Sequence, residues 1–199
     1  MRILAVGGTG TVGKAALSDL RKRHDIVTAG RTTGDVKVDV MDEASIEAMF
    51  KALGPVDAVV TTTGHGHFGP VADMTPQQFR KGVEDKLMGQ INVALIAIRH
   101  VKDGGSITVT SGVTNRDFIR KGANAASMNG ALDDFVRAAA IEMPRGIRIN
   151  CVSPGLLEES AVKYDGFFPG HVPVTSARVG IAFTKCVEGA INGQVVTVD

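Results

Sequence analysis

Near its start the chain reads VGGTGTVGKAAL, a glycine-rich loop that follows the apolar run RILAVG and opens a helical pattern from Thr11 to Arg23. Few local sequences constrain a fold as tightly. Gly8, Gly10 and Gly13 fit the spacing G-x-G-x-x-G, and Gly7, Gly10 and Gly13 fit G-x-x-G-x-x-G. Such a loop needs a tight turn, a backbone that approaches a pyrophosphate, and a helix packed closely on a strand. The helix N-terminus then offers unpaired N–H groups and positive potential to the phosphates. Gly7, Thr9, Gly10, Thr11, Val12 and Gly13 are the expected dinucleotide contacts here. The same residues also spell a near P-loop, G-x-x-x-x-G-K, over Gly8 to Lys14. That motif wants Ser or Thr next, to hold magnesium, and Ala15 stands there. No later strand ends in a magnesium-binding aspartate site, so nucleotide hydrolysis ranks below dinucleotide binding.

Downstream, strand-like runs alternate with helical ones. DIVTAG, VKVDV, VDAVVTTT, GSITVTSG, IRINCVSPG and QVVTVD read as strands. Asp42 caps a predicted helix over Glu43–Leu53, whose apolar residues Ile46, Met49, Phe50 and Leu53 share one face. Thr75, Pro76 and Gln78 form a predicted capping box. Helical stretches over Glu84–His100, Asn124–Met143 and Thr175–Asn192 follow. Near-continuous apolar strands alternating with helices specify a parallel sheet covered on both faces. With no repeat or linker, residues 1–199 are expected to form one domain. The least regular region, Gly155 to Pro173, is either a substrate loop or a plain connection with buried aromatics.

The end of the second strand bears on the choice of nucleotide. TAGRTTGD places Arg31 where an NAD site carries an acid for the ribose 2′-hydroxyl. A guanidinium matches a 2′-phosphate, and Thr32 adds a hydroxyl. The expected cofactor is therefore NADP(H).

Composition excludes other classes. A net charge of +1 with no basic block gives nucleic acid nothing to hold. No apolar run approaches the ~20 residues that span a bilayer, and the N-terminus lacks the form of a signal peptide. Cys151 and Cys186 have no metal or redox spacing and read as reduced, buried thiols of a cytoplasmic protein. His65 and His67 form a His-x-His pair without a third ligand, so no metal is expected.

Several motifs in order resemble the short-chain dehydrogenase/reductase family, over essentially the whole chain. They are the glycine loop; VDV, with Asp39 and Val40; TTTG, with Thr62, Thr63 and Gly64; TVTSG, with Ser111; RINCVSPG, ending in Pro154 and Gly155; and GQVVTVD. The resemblance implies a Rossmann-type doubly wound α/β sandwich of seven parallel strands in the order 3-2-1-4-5-6-7. It implies that Asp39 bonds the adenine and that Pro154-Gly155 packs against the nicotinamide. It also implies a homodimer or homotetramer built on the helices at Glu84–His100 and Asn124–Met143.

The catalytic group departs from that pattern. The family uses Asn, Ser, Tyr and Lys, the tyrosine exchanging a proton as hydride moves and the lysine binding ribose and lowering the tyrosine pKa. Here Lys86 stands at the asparagine, Ala125 at the tyrosine and Asn129 at the lysine; Ser111 alone is kept. Four replacements for the tyrosine are open. Lys86 is an acid if burial depresses its pKa, or a surface lysine on a helix. His65 and His67 titrate in the useful range. Tyr164, the only tyrosine, lies in the irregular region. Asn115, Arg116 and Asp117 follow Ser111. The expected function is reduction or oxidation of a small carbonyl/alcohol substrate with an altered proton-transfer group. The alternative is a catalytically inactive NADPH-binding sensor, which Ala125 and Asn129 favour.

Overall fold

The computed structural model describes residues 1–199. Seven strands, β1 (Arg2–Val6), β2 (Asp25–Gly30), β3 (Val36–Lys37), β4 (Val56–Thr61), β5 (Val101–Thr110), β6 (Arg148–Pro154) and β7 (Val195–Val198), form one sheet in the order 3-2-1-4-5-6-7. Every pairing is parallel. Alternation explains the apolar strands. In β1, Leu4 and Val6 enter a core with Phe50, Val93 and Leu132, while Ile3 and Ala5 enter the opposite core with Leu17, Leu20 and Phe183. Both faces of the sheet are therefore buried, as a three-layer sandwich requires.

α1 (Thr11–Leu20) and α6 (Ser176–Glu188) cover one face. α2 (Glu43–Leu53), α4 (Gly89–Ala97) and α5 (Ala123–Ala139) cover the other. Asp42 caps α2, its Oδ1 accepting from the Ala44 N–H at 2.9 Å. α3 (Pro76–Gly82) opens with the capping box, Thr75 Oγ1 accepting from Gln78 N at 3.2 Å and Gln78 Oε1 from Thr75 N at 2.9 Å.

Several helices differ from the sequence pattern; α1 and α6 end at Leu20 and Glu188, short of Arg23 and Asn192. α3 and α4 are one continuous rod, joined through a π-helical segment, Val83–Met88. Such wide turns are rare and cluster at functional positions; this one carries Lys86. α5 stops at Ala139 rather than Met143. Pro144 disfavours helical backbone at the residue before it, and Ile141 N and Glu142 N bond to carbonyls three residues back.

β1 bonds to β2 on one side and to β4 on the other. The chain thus reverses its winding direction between β1 and β4. A crevice opens at the carboxyl ends of the strands at such a switch point.

Candidate active site

A cleft of about 530 Å³ occupies that crevice. The glycine loop forms one wall. Gly7 has φ +80°, and its N–H bonds to the Ala29 carbonyl at 2.8 Å, which turns the chain off the sheet. A Cβ on Gly13 would sit 2.2 Å from the Gly7 oxygen, so only glycine lets α1 pack on the loop. Gly7 and Gly10 line the cleft. Gly8 does not; a Cβ there would meet Ala5 and Leu17 side chains at 3.0 Å, on the core side. Gly10 is the N-cap of α1 and brings no side chain to it, leaving the first-turn amides of Thr11 and Val12 open at the cleft. Lys14 is exposed and outside the cleft, contrary to what a P-loop needs.

Arg31 lines the next stretch. It is exposed and has no ion pair or side-chain hydrogen bond. Thr32 does not line the cleft; its carbonyl instead accepts from Lys37 Nζ. Thr33 takes that place, its hydroxyl 2.7 Å from Thr9 Oγ1, tying the β2–β3 turn to the glycine loop. A residue count along the strand end does not reveal which of two adjacent threonines turns inward. Asp39 Oδ1 accepts from Met41 N at 3.0 Å, and Val40 sits beside it under Gly89.

Thr62, Thr63 and Gly64 continue the wall beyond β4. Gly64 has φ +95°, and a Cβ there would lie 2.3 Å from Lys86 Cα. The loop therefore rests directly on the π segment. Lys86 Nζ donates to the Ser111 carbonyl at 3.1 Å. Burial lowers the Lys86 pKa to about 8, against the weaker opposing influence of Cys151 and Asp133. Asn129 reaches the same turn from α5, its Nδ2 donating to the Gly112 carbonyl at 3.0 Å and Thr114 Oγ1 at 2.8 Å. Two buried oxygens of cleft residues, Ser111 Oγ and Asn129 Oδ1, have no hydrogen-bond partner. Orphaned acceptors of this kind cost free energy unless a ligand or water completes them.

The far wall is Pro154, Gly155 and the segment after them. Leu157 bridges Val174, closing the base of that segment into a loop. Tyr164 lines the cleft from it, near Phe68 of the loop after β4, at 5.6 Å between ring centroids.

Other candidates fall outside. His65 borders the cleft but is exposed, its ring 3.6 Å from Asp85. His67 does not line it, and its N–H bonds to Asn124 Oδ1 at 2.7 Å. Asn115 bonds to Asp133, Arg116 to Ser153 and Asp199, and Asp117 pairs with His171. All three hold the scaffold. No three His, Cys, Asp or Glu side chains gather as a metal would require. Phe68 and Phe168 also line the cleft; for Phe168 the sequence signal is the adjacent pair Phe167-Phe168 in the irregular stretch.

A family model described as enoyl-(acyl carrier protein) reductase, a short-chain dehydrogenase type, matches residues 11–172, most of the chain. The chain belongs to the short-chain dehydrogenase/reductase family. Among curated relatives, it is 31% identical to tetrahydroxynaphthalene reductase of Pyricularia oryzae, over 88% of this chain and 75% of the relative. It is 34% identical to versicolorin reductase stcU of Emericella nidulans, over 72% of this chain and 54% of the relative. The chain thus spans from about half to three quarters of the length of these relatives. The crystal structure of the protein lin1944 from Listeria innocua superposes with a TM-score of 0.97 over all of both chains, at 46% identity. A small-chain dehydrogenase in complex with NADPH superposes with a TM-score of 0.87, at 26% identity, covering 100% of this chain and 96% of that one. No helix is long and apolar enough to cross a membrane.

Proposed function

We propose that this short-chain dehydrogenase/reductase is an NADP(H)-dependent oxidoreductase of a small carbonyl or alcohol, in which Lys86 replaces the family's tyrosine as proton donor. One observation carries this reading: the Lys86 amine is fixed on the Ser111 carbonyl inside the cleft, with its pKa lowered to about 8 by burial. A general acid works best when its pKa lies near the working pH.

The residues present fit NADP(H). The open amides of α1 and the Gly7–Gly10 turn suit a pyrophosphate, unpartnered Arg31 suits a 2′-phosphate, and the orphaned Asn129 Oδ1 suits a ribose hydroxyl. When bound, the nicotinamide supplies or accepts the hydride. The chain does the rest. The Ser111 hydroxyl, free of protein partners, donates to the substrate oxygen and orients it. The Lys86 ammonium gives that oxygen its proton and is itself restored from solvent. Pro154 and Gly155 would pack against the nicotinamide when it is bound.

Assembly as a homodimer or homotetramer belongs to the same reading. Leu95 on α4 and Met88 at its start leave 49% and 37% of their surface exposed on an apolar helix. A sensor that binds NADPH without turnover is the second reading, favoured by Ala125 at the tyrosine position. Consumption of NADPH with a panel of carbonyl compounds, by wild type and Lys86→Met, separates the two. Turnover in wild type, lost in a variant that still binds NADPH, supports the enzyme. Tight NADPH binding with no turnover on any compound supports the sensor.

A further inference from the structure

The only tyrosine of the chain and three of its eight phenylalanines gather at one end of the cleft. Phe68 comes from the loop after β4; Tyr164, Phe167 and Phe168 come from the loop closed by Leu157 and Val174. Phe68 and Tyr164 are tilted at 50° across 5.6 Å, and Phe168 stands edge-on to Tyr164 at 6.1 Å. Phe167 props the group from behind, edge-on to Phe68 at 5.9 Å and to Tyr164 at 6.2 Å, with the Lys121 ammonium 5.5 Å above its ring.

This is not an ordinary satellite core. All four rings are only half-buried, and Phe68, Tyr164 and Phe168 line the cleft. The Tyr164 hydroxyl makes no hydrogen bond within the protein. The Lys163 ammonium lies 5.2 Å from the Tyr164 ring and pairs with no carboxylate. Two carboxylates that line the cleft are engaged, Glu159 accepting from the Ser176 hydroxyl and Asp85 from the His65 N–H. This end of the cleft therefore offers π-faces, ring edges and a phenol donor.

We propose that Phe68, Tyr164 and Phe168 form an aromatic clamp at one end of the cleft and that the substrate is a fused-ring aromatic ketone, its ring packed against the cleft-facing faces and edges of these mutually packed side chains and its carbonyl at Ser111 and Lys86. The substrate class rests on the oxidoreductase reading. In the reduction the carbonyl carbon takes a hydride from the reduced nicotinamide, which is oxidised, and the oxygen takes a proton from the Lys86 ammonium. The C=O double bond becomes a CH–OH. An aromatic ring gains offset and edge-on pairing here beyond the area it buries, whereas a saturated ring of the same size gains only the area.

The matched probes are 2-tetralone and 2-decalone, bicyclic ketones that differ in one aromatic ring. Calorimetric titrations of each are made with and without NADP⁺, alongside an NADPH titration. The expected result is about tenfold tighter binding of 2-tetralone. The preference shrinks to about twofold in Phe68→Leu/Phe168→Leu, with NADPH affinity unchanged. Phe168→Leu alone carries the same test if the double variant fails to fold. Equal affinities in wild type, or a preference that survives the leucines, overturn the clamp. If NADPH binds and 2-tetralone is not preferred, the clamp falls and the oxidoreductase reading stands. If 2-tetralone is preferred and NADPH does not bind, the oxidoreductase reading falls and the aromatic site stands.

Discussion

Gly66 lies against Ala125: a Cβ built on the glycine would sit 3.1 Å from both Cα and Cβ of Ala125. The loop after β4 thus occupies the space above the helix position at which the family resemblance puts the tyrosine. The missing phenol is a change of packing as well as of residue. The neighbouring Asn129 is committed too, with Nδ2 held by Gly112 and Thr114.

Restoring the family pair should therefore fail. Ala125→Tyr/Asn129→Lys forces a ring against the Gly66 backbone and puts an ammonium in a buried amide site. Overpacking costs about 1–3 kcal/mol, so the thermal midpoint should fall while carbonyl reduction gains nothing. A variant that matched wild-type stability and turned over faster would show that the site keeps room for the tyrosine.

Lys86 gives a pH signature. Reduction needs its protonated form, so the rate constant for reduction should fall as pH rises through about 8, and the oxidation rate should rise over the same range. The folded pKa lies below the ordinary lysine value of 10.5. Between these values the unfolded chain binds a proton that the folded chain does not, and stability attributable to Lys86 rises with pH. Denaturant unfolding of wild type and Lys86→Met from pH 7 to 10.5 should show that slope in wild type only.

Arg31 should choose the nucleotide. A charge-assisted contact to phosphate contributes about 1.5–3 kcal/mol, so Arg31→Ala should weaken NADPH about ten- to hundredfold and leave NADH unchanged. Parallel calorimetric titrations read this directly. Equal losses for both nucleotides would assign Arg31 to the fold rather than to the 2′-phosphate.

Gly13, which lies in α1 outside the cleft, and Gly10, its N-cap at the cleft, separate packing from binding. Gly13→Ala drives a methyl to 2.2 Å from the Gly7 oxygen, and should cost about 2–3 kcal/mol despite alanine's better helix propensity. Gly10→Ala meets that oxygen only at 3.4 Å. It should fold with a near-normal thermal midpoint and lose NADPH affinity, because the methyl stands where a phosphate approaches. Circular dichroism melts set beside NADPH titrations distinguish the two effects.

The sequence by itself determined the alternation of strands and helices and the glycine loop. These follow from local pattern, apolar runs with turn residues between them and glycines at fixed offsets, whereas the strand order was implied only by the family resemblance. Cap residues placed the starts of α2, α3 and α6 for the same reason, while most helix ends fall short of the pattern. It could not separate Thr32 from Thr33, since the choice depends on how the β2–β3 turn meets Thr9. It could not decide whether Lys86 was a surface lysine or a buried acid. Its half-buried place and its bond to the Ser111 carbonyl, just past β5 and 25 residues away, come from the π-helical turn and from Gly64 resting on Lys86 Cα. Nor did it join Phe68 to Tyr164, which lie on separate loops and meet only when β4 and β6 take their places in one sheet. Strand patterns are properties of neighbours along the chain; a proton donor's environment and a clamp's geometry are properties of neighbours in space.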